Sequence, residues 1–296
     1  MAITIGAGSD AWGIWHGSHP AQIPWQRYLD EAHEAGYRVV EPGNYGYLPT
    51  VPAALRRELE ARDLHIPGGS LFGAIADREA AASIMSELDR TAGLLSEVGA
   101  DYLVVMDDFN RDIYSGAARG PHRLNEAGWA YFVDMIHRMA HRAREAHGMT
   151  LVFHPHCDAM IEEESEIERF LALTDPYLVG LCMDTGHHVY CGGDPIAFWL
   201  RHHSRMPYLH IKSMNSRILA NVRRCNLPWG RAVEQGVTDE PALGIVDMPG
   251  LVAALRHTGY HGYAIVEQDM FPCDPAVPLP LAQRTITYLR SLGFVT

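Results

Sequence analysis

Asp184, His210 and Glu267 each close a short apolar run, and Glu41, Asp107 and His154 do the same elsewhere in the chain. The stretches that follow are just as rich in ionisable groups: Glu41 before Gly43-Asn44-Tyr45, Asp107-Asp108, His154-Pro155-His156-Cys157-Asp158, Asp184-Thr185-Gly186-His187-His188, and Glu267-Gln268-Asp269. A chain assembled at random would rarely place acids and imidazoles at so many run ends. Carboxylate oxygen and imidazole nitrogen, with no ordered thiolates among them, suit Mn²⁺, Mg²⁺, Co²⁺ or Zn²⁺. A divalent ion held this way can polarise a carbonyl and steady the charge that develops when a neighbouring proton leaves.

Lys212 is the one lysine in a chain with twenty-three arginines. It stands two residues after His210, on the same face of an extended segment. A lysine ammonium is compact and can exchange its proton when partly desolvated, whereas a guanidinium stays charged and presents a flat fork. The pairing with His210 makes Lys212 a candidate acid–base group. Plainer readings exist for some of the others. Asp184 would serve as a helix cap, Glu41 as a loop acid and Cys157 as a packed free cysteine. The run Glu162-Glu163-Glu164-Ser165-Glu166 suits a solvated helix start, where acids complement the dipole.

The elements that must carry these groups alternate. Strand patterns fall at 2–6, 37–42, 64–68, 101–106, 150–154, 178–184, 207–212 and 263–267, and helical patterns at 24–35, 52–62, 77–99, 124–147, 162–174, 195–204, 248–258 and 277–292. Gly36, Gly99 and Gly259 sit where helices should stop before strands. Eight such units without a linker predict an α/β chain folded as one (β/α)8 TIM barrel over residues 1–296. In that fold reacting groups project from the C-terminal ends of strands, which is where the acids and imidazoles lie. The longest connection, 213–247 after the seventh strand, carries Arg217, Arg223, Arg224 and Trp229 and reads as a functional or mobile loop.

A net charge of −12 argues against nucleic acid, which needs a basic face. No window is apolar enough for a membrane span, and the start of the chain does not read as a signal peptide. Five scattered cysteines without a C-x-x-C pair fit a reducing cytoplasm. Gly6-Ala7-Gly8-Ser9-Asp10-Ala11 imitates a dinucleotide fingerprint, but the loop-like Trp12-Gly13-Ile14-Trp15-His16 follows where a helix should open. Nicotinamide binding is not expected.

Two blocks carry a family resemblance. One is His154-Pro155-His156 followed by Glu162; the other runs Leu173-Thr174-Asp175-Pro176 to Met183-Asp184-Thr185-Gly186-His187. Together with His210-Ile211-Lys212 and Val266-Glu267, the chain resembles the inosose dehydratase branch of the xylose isomerase-like TIM barrels. The resemblance is strongest over 150–270 and departs at the N-terminal third and at Ser213. It implies one divalent ion held by Asp184, His210 and Glu267. The fourth ligand is expected to be Glu162 reaching in from the loop, with a histidine of the preceding strand, His154 or His156, as the alternative. It further implies that His187 meets substrate, that Lys212 lies beside the metal, and that His154 and His156 otherwise face the substrate.

The chemistry expected is dehydration of a keto-inositol or related keto-sugar through an enediolate. An isomerase or epimerase would use the same parts, returning the proton to carbon. A lyase for a keto-glycoside or cyclic keto-acid is a third reading. A non-catalytic barrel subunit and an abasic-site endonuclease fit less well. Glu41 and Asn44 are expected to bind substrate, Trp12, Trp15 and Tyr45 to supply apolar platforms, and Arg217 to meet any anionic group. The expected partners are a small polyol or keto-sugar and, at most, further copies of the same chain.

Overall fold

The computed structural model describes residues 3–296; Ala2, the expected start of the first strand, lies outside them. Seven parallel strands form one curled sheet in the order β1 (Thr4–Ala7), β9 (Tyr263–Val266), β6 (Tyr208–Ile211), β5 (Val179–Asp184), β4 (Thr150–Phe153), β3 (Tyr102–Asp107) and β2 (Gly68–Gly73). The expected strand at 37–42 supplies the eighth stave as a pair of bridges, Ala7 to Val40 and Val39 to His65. Backbone bonds on both sides secure it: Ala7 N–H to the Val39 carbonyl at 2.9 Å and Val40 N–H to the His65 carbonyl at 3.0 Å. Pro42 has no N–H to extend the ladder, which keeps this stave short. The sheet thus closes into the expected (β/α)8 barrel with no free edge.

All eight expected helices form, with Gly36 and Gly99 in the left-handed region at φ of +105° and +87°. The 213–247 connection differs from the expectation of an irregular loop. It folds into helices Ser216–Cys225 and Trp229–Glu234 and an antiparallel ribbon of β7 (Ser213–Met214) and β8 (Thr238–Asp239). Leu219, Val222, Trp229, Ala232 and Val233 bury together there, so this insertion has a small core of its own. In helix Ser216–Cys225 the apolar stripe of Ile218, Leu219 and Val222 faces that core.

The barrel interior explains how the site is positioned. Val39, Val104, Val152, Cys182, Tyr208 and Ile265 form an apolar layer inside the strands. Side chains of a strand alternate, so the same strands present their next inward groups two residues later. Those groups are Glu41, Met106, His154, Asp184, His210 and Glu267. One packed layer therefore supports one layer of chemistry at the C-terminal mouth.

Candidate active site

Four side chains from four adjacent staves converge. One donor atom from each of His154, Asp184, His210 and Glu267 lies within 4.8 Å of the other three. Both ring nitrogens of His154 lack a hydrogen-bond partner despite burial, and Asp184 Oδ2 and His210 Nδ1 meet only other members of the site. Buried polar atoms are normally satisfied, so an unpaired group aimed at a common point marks a place for a cation. Two neighbouring groups orient the donors. Asp184 Oδ1 accepts from the His187 backbone N–H at 2.7 Å and caps helix Thr185–Tyr190, leaving Oδ2 for the cluster. Asp184 thus caps the helix with one oxygen and turns the other toward the cluster. His210 Nε2 lies 3.2 Å from Glu41 Oε1, which also accepts from the Tyr208 hydroxyl at 2.7 Å. That contact aims Nδ1 at Glu267, 2.9 Å away, in the manner of a carboxylate behind a ligating imidazole.

Glu162, the expected fourth donor, faces elsewhere. Its Oε2 accepts from the Asp158 backbone N–H at 2.7 Å, and it lines a small cleft behind the barrel mouth. Asp158 pins this loop from both oxygens, accepting from Arg111 Nε–H and from the Trp229 backbone N–H at 2.8 Å each. The residue that clusters with Asp184, His210 and Glu267 is His154, one past the end of β4.

Lys212 is fully surrounded. Its ammonium stands 2.8 Å from Glu267 Oε2, 2.8 Å from Asp269 Oδ2 and 3.0 Å from His187 Nε2, with Asp184 Oδ2 at 3.3 Å. Three N–H donors meet three close partners. Burial alone would push its pKa down, but Asp184, Asp269 and Glu267 outweigh that and raise it. Burial likewise opposes ionisation of Asp184 and Glu267, yet Lys212 holds Asp184 low, and His210 followed by Lys212 holds Glu267 low.

The imidazoles behave differently. Burial pushes His156 down to about 3, with His154 and Lys212 adding to the shift, and burial with His156 and Lys212 pushes His187 well down. Both rings are neutral at neutral pH. His156 Nδ1 lies 2.7 Å from the Cys157 carbonyl, which can only accept, so Nδ1 carries the hydrogen and Nε2 keeps its lone pair. The two rings lie with centroids 3.8 Å apart under Trp229.

These groups line a cavity of about 290 Å³. Glu41, Asn44, Trp15, His154, His156, His187, His210, Lys212 and Glu267 all reach it, and the Trp15 indole donates to Asp269 Oδ1 at 2.9 Å. Three expected substrate contacts do not. Trp12 is a core residue, 1% exposed, whose indole donates to Glu31 Oε2 at 2.9 Å. Arg217 is exposed on the first turn of helix Ser216–Cys225, its backbone held by Asn215. Tyr45 lines clefts outside the main cavity, where the Arg90 guanidinium lies over its ring. Two cavity carboxylates, Asp10 and Asp269, went unassigned by the sequence reading. Asp269 shows the same two-residue step past Glu267 that Lys212 shows past His210. Asp10 follows the end of β1 but is masked by the glycine motif, which forms a single 3-10 turn, Ser9–Trp12. Burial, then Glu267 and Asp269, push its pKa well up.

A sequence profile for the xylose isomerase-like TIM barrel matches residues 29–292. The inosose dehydratase of Geobacillus kaustophilus (strain HTA426) is 32% identical over 269 residues, 89% of this chain and 84% of that protein. The rhizopine catabolism protein MocC of Rhizobium meliloti is 32% identical over 263 residues, 88% of this chain and 79% of that protein. Among solved structures, that of the IOLI protein with a binding zinc atom superposes with a TM-score of 0.74 at 14% identity, covering 99% of this chain and 100% of that one. The probable 3-DHS dehydratase AsbF from Bacillus anthracis gives 0.73 at 13% identity, covering 97% and 99%. Among the described residues no helix is long and apolar enough to cross a membrane.

Proposed function

The chain belongs to the xylose isomerase-like TIM barrel family, and from that premise we propose that it is a divalent-metal-dependent lyase that dehydrates a keto-inositol or related keto-sugar. The observation that carries the reading is the cluster of His154, Asp184, His210 and Glu267, with the unpaired buried ring nitrogens of His154, beneath a cavity lined by Lys212, His156 and His187. The dehydratase names of the relatives support the reaction class. The zinc in the IOLI protein supports a divalent ion without naming the one used here.

A divalent cation on the four donors would polarise the ketone and stabilise the negative charge that builds on its oxygen as the α-proton leaves. The protein's own groups do the rest. His156 Nε2, neutral and with its lone pair free, takes the proton from carbon. Burial makes it a weak base, so it acts only on a hydrogen that the polarised ketone has made acidic. The Lys212 ammonium protonates the departing hydroxyl, and His187 Nε2, which accepts from that ammonium, holds it in place. Glu41 holds the tautomer of His210, and Asp269 ties Lys212 to Trp15 at the mouth.

The test is a reaction of the purified protein with inosose, followed by the absorbance of the conjugated enone. The rate should vanish when a chelator removes the metal and return when Mn²⁺, Co²⁺ or Zn²⁺ is added back. An undiminished rate in protein shown by elemental analysis to be metal-free would remove this reading.

A further inference from the structure

The cavity has a roof that the barrel strands do not supply. Trp229 opens helix Trp229–Glu234 of the 213–247 insertion, is 2% exposed and lines the cavity. Its ring centroid lies 4.7 Å from that of His187 and 5.5 Å from that of His156. The Lys212 ammonium stands 5.8 Å from the same ring. A roof carried on an insertion holds its neighbours only as firmly as the insertion is docked.

That docking converges on one guanidinium. Arg111, in the loop after β3, donates from Nε to Asp158 Oδ1 at 2.8 Å, from Nη1 to Asn226 Oδ1 at 3.1 Å and from Nη2 to the Leu227 carbonyl at 3.1 Å. Asp158, in the loop after β4, accepts from the Trp229 backbone N–H through its other oxygen at 2.8 Å. Its own backbone is fixed at both ends, the carbonyl accepting from Asn110 N–H and the N–H donating to Glu162, each at 2.7 Å. Bonds to charged groups are the strong kind, and the planar fork gives them direction. Three loops are therefore tied together at the residues leading into Trp229. On the far side, a methyl group on Gly230 would lie 2.7 Å from the Ile113 carbonyl oxygen and 2.9 Å from the Tyr114 ring. The chain is gripped on either side of the indole. Neither Arg111 nor Asp158 lines the cavity, so any effect they have on chemistry passes through Trp229.

We propose that Arg111 and Asp158 are positioning residues of the active site: they latch the insertion to the barrel so that Trp229 fixes the His156 and His187 rings. The inference rests on the lyase reading for its effect on turnover, and on the latch geometry alone for its effect on Trp229. Reacting groups displaced by a fraction of an ångström slow the chemical step while the ion and the substrate remain bound.

The test compares Arg111→Met and Asp158→Asn with Arg223→Ala. Asparagine tolerates the left-handed backbone of Asp158, φ +61°, so that variant removes the charge and keeps the loop. Arg223 anchors the same insertion to the Val189 and Tyr190 carbonyls and does not touch the latch, so its loss controls for general loosening. Hydrogen exchange read by mass spectrometry should show the peptide over 226–231 exchanging at least about tenfold faster in both latch variants, the scale of one lost bond to a charged group. Arg223→Ala should leave that peptide unchanged. With inosose, kcat should fall at least about tenfold in the latch variants while KM stays within about threefold, and metal content should match wild type. Arg223→Ala should turn over at the wild-type rate. Exchange at the wild-type rate in the latch variants, faster exchange with kcat unchanged, or an equal effect from Arg223→Ala would each overturn the proposal. If the latch variants unfold, Gly230→Ala replaces them under the same criteria, because it presses on the Ile113 carbonyl without removing a bond. Absence of enone from wild type sinks the lyase reading alone. The latch is then decided by exchange and by near-ultraviolet circular dichroism, where Arg111→Met should lose the band that Trp229→Phe removes; a retained band overturns it.

Discussion

A methyl group on Gly186 would lie 2.5 Å from Cγ of Lys212 and 2.7 Å from its Cβ. The stem of the lysine therefore crosses the first turn of helix Thr185–Tyr190 at a point where only glycine leaves room, and the ammonium beyond it reaches Glu267 and Asp269. Those stem atoms are the ones nearest the backbone and cannot swing aside. Gly186→Ala should fold but lose about 1–3 kcal/mol, the usual range for overpacking, and its turnover should fall because the ammonium is displaced. Thermal unfolding and steady-state rates check this; unchanged values for both would show that the lysine stem moves freely.

Lys212→Arg keeps the charge and removes the geometry. A guanidinium cannot place three donors on Glu267, Asp269 and His187 from a single nitrogen, and it does not give up a proton. Turnover should drop by about 10²-fold or more, the scale of a lost acid–base contact, while metal content stays near that of wild type. Near-normal turnover would make the lysine a structural residue.

The fourth donor can be read from metal content. His154→Ala removes a member of the converging set, and the protein should lose its ion on dialysis. Glu162→Ala should keep it, because that carboxylate serves the Asp158 backbone instead. Elemental analysis of both variants decides, and the reverse pattern would restore Glu162 as the ligand.

Asp107 makes stability depend on pH. Burial pushes its carboxyl up to about 7, although Ile75 N–H donates to Oδ1 at 2.8 Å. An acid whose folded pKa lies above the unfolded value of about 3.9 favours the fold fully below that value and loses the benefit as pH rises to the folded one. Wild type should therefore lose stability between about pH 4 and pH 7 relative to Asp107→Asn, whose neutral amide still accepts from Ile75. Urea midpoints at a series of pH values test this. Parallel profiles for the two proteins would mean that Asp107 ionises normally.

The sequence made the barrel legible because its strand ends punctuate so regularly, and because a two-residue step links Val152 to His154, Cys182 to Asp184 and Ile265 to Glu267. Asp269 follows Glu267 by the same step that brings Lys212 after His210. Glu162 misled for a different reason. Whether a loop residue reaches inward depends on loop conformation, here fixed by Asp158 at φ +61° and its bonds to Arg111 and Trp229. No period encodes that. Trp12 was indistinguishable from Trp15 in sequence, since only the partner of each indole, Glu31 or Asp269, separates core from cavity.

Dehydration and epimerisation share every group described here up to the moment the α-proton has left, and the fate of the β-hydroxyl separates them. The decisive measurement is proton NMR of inosose incubated with the metal-loaded protein in D₂O. This account predicts loss of the β-hydroxyl, with vinylic or dione signals of the dehydrated ring appearing in step with enone absorbance. An intact ketone that gains deuterium at the α-carbon, with inverted configuration and no loss of water, would contradict it and make the protein an epimerase.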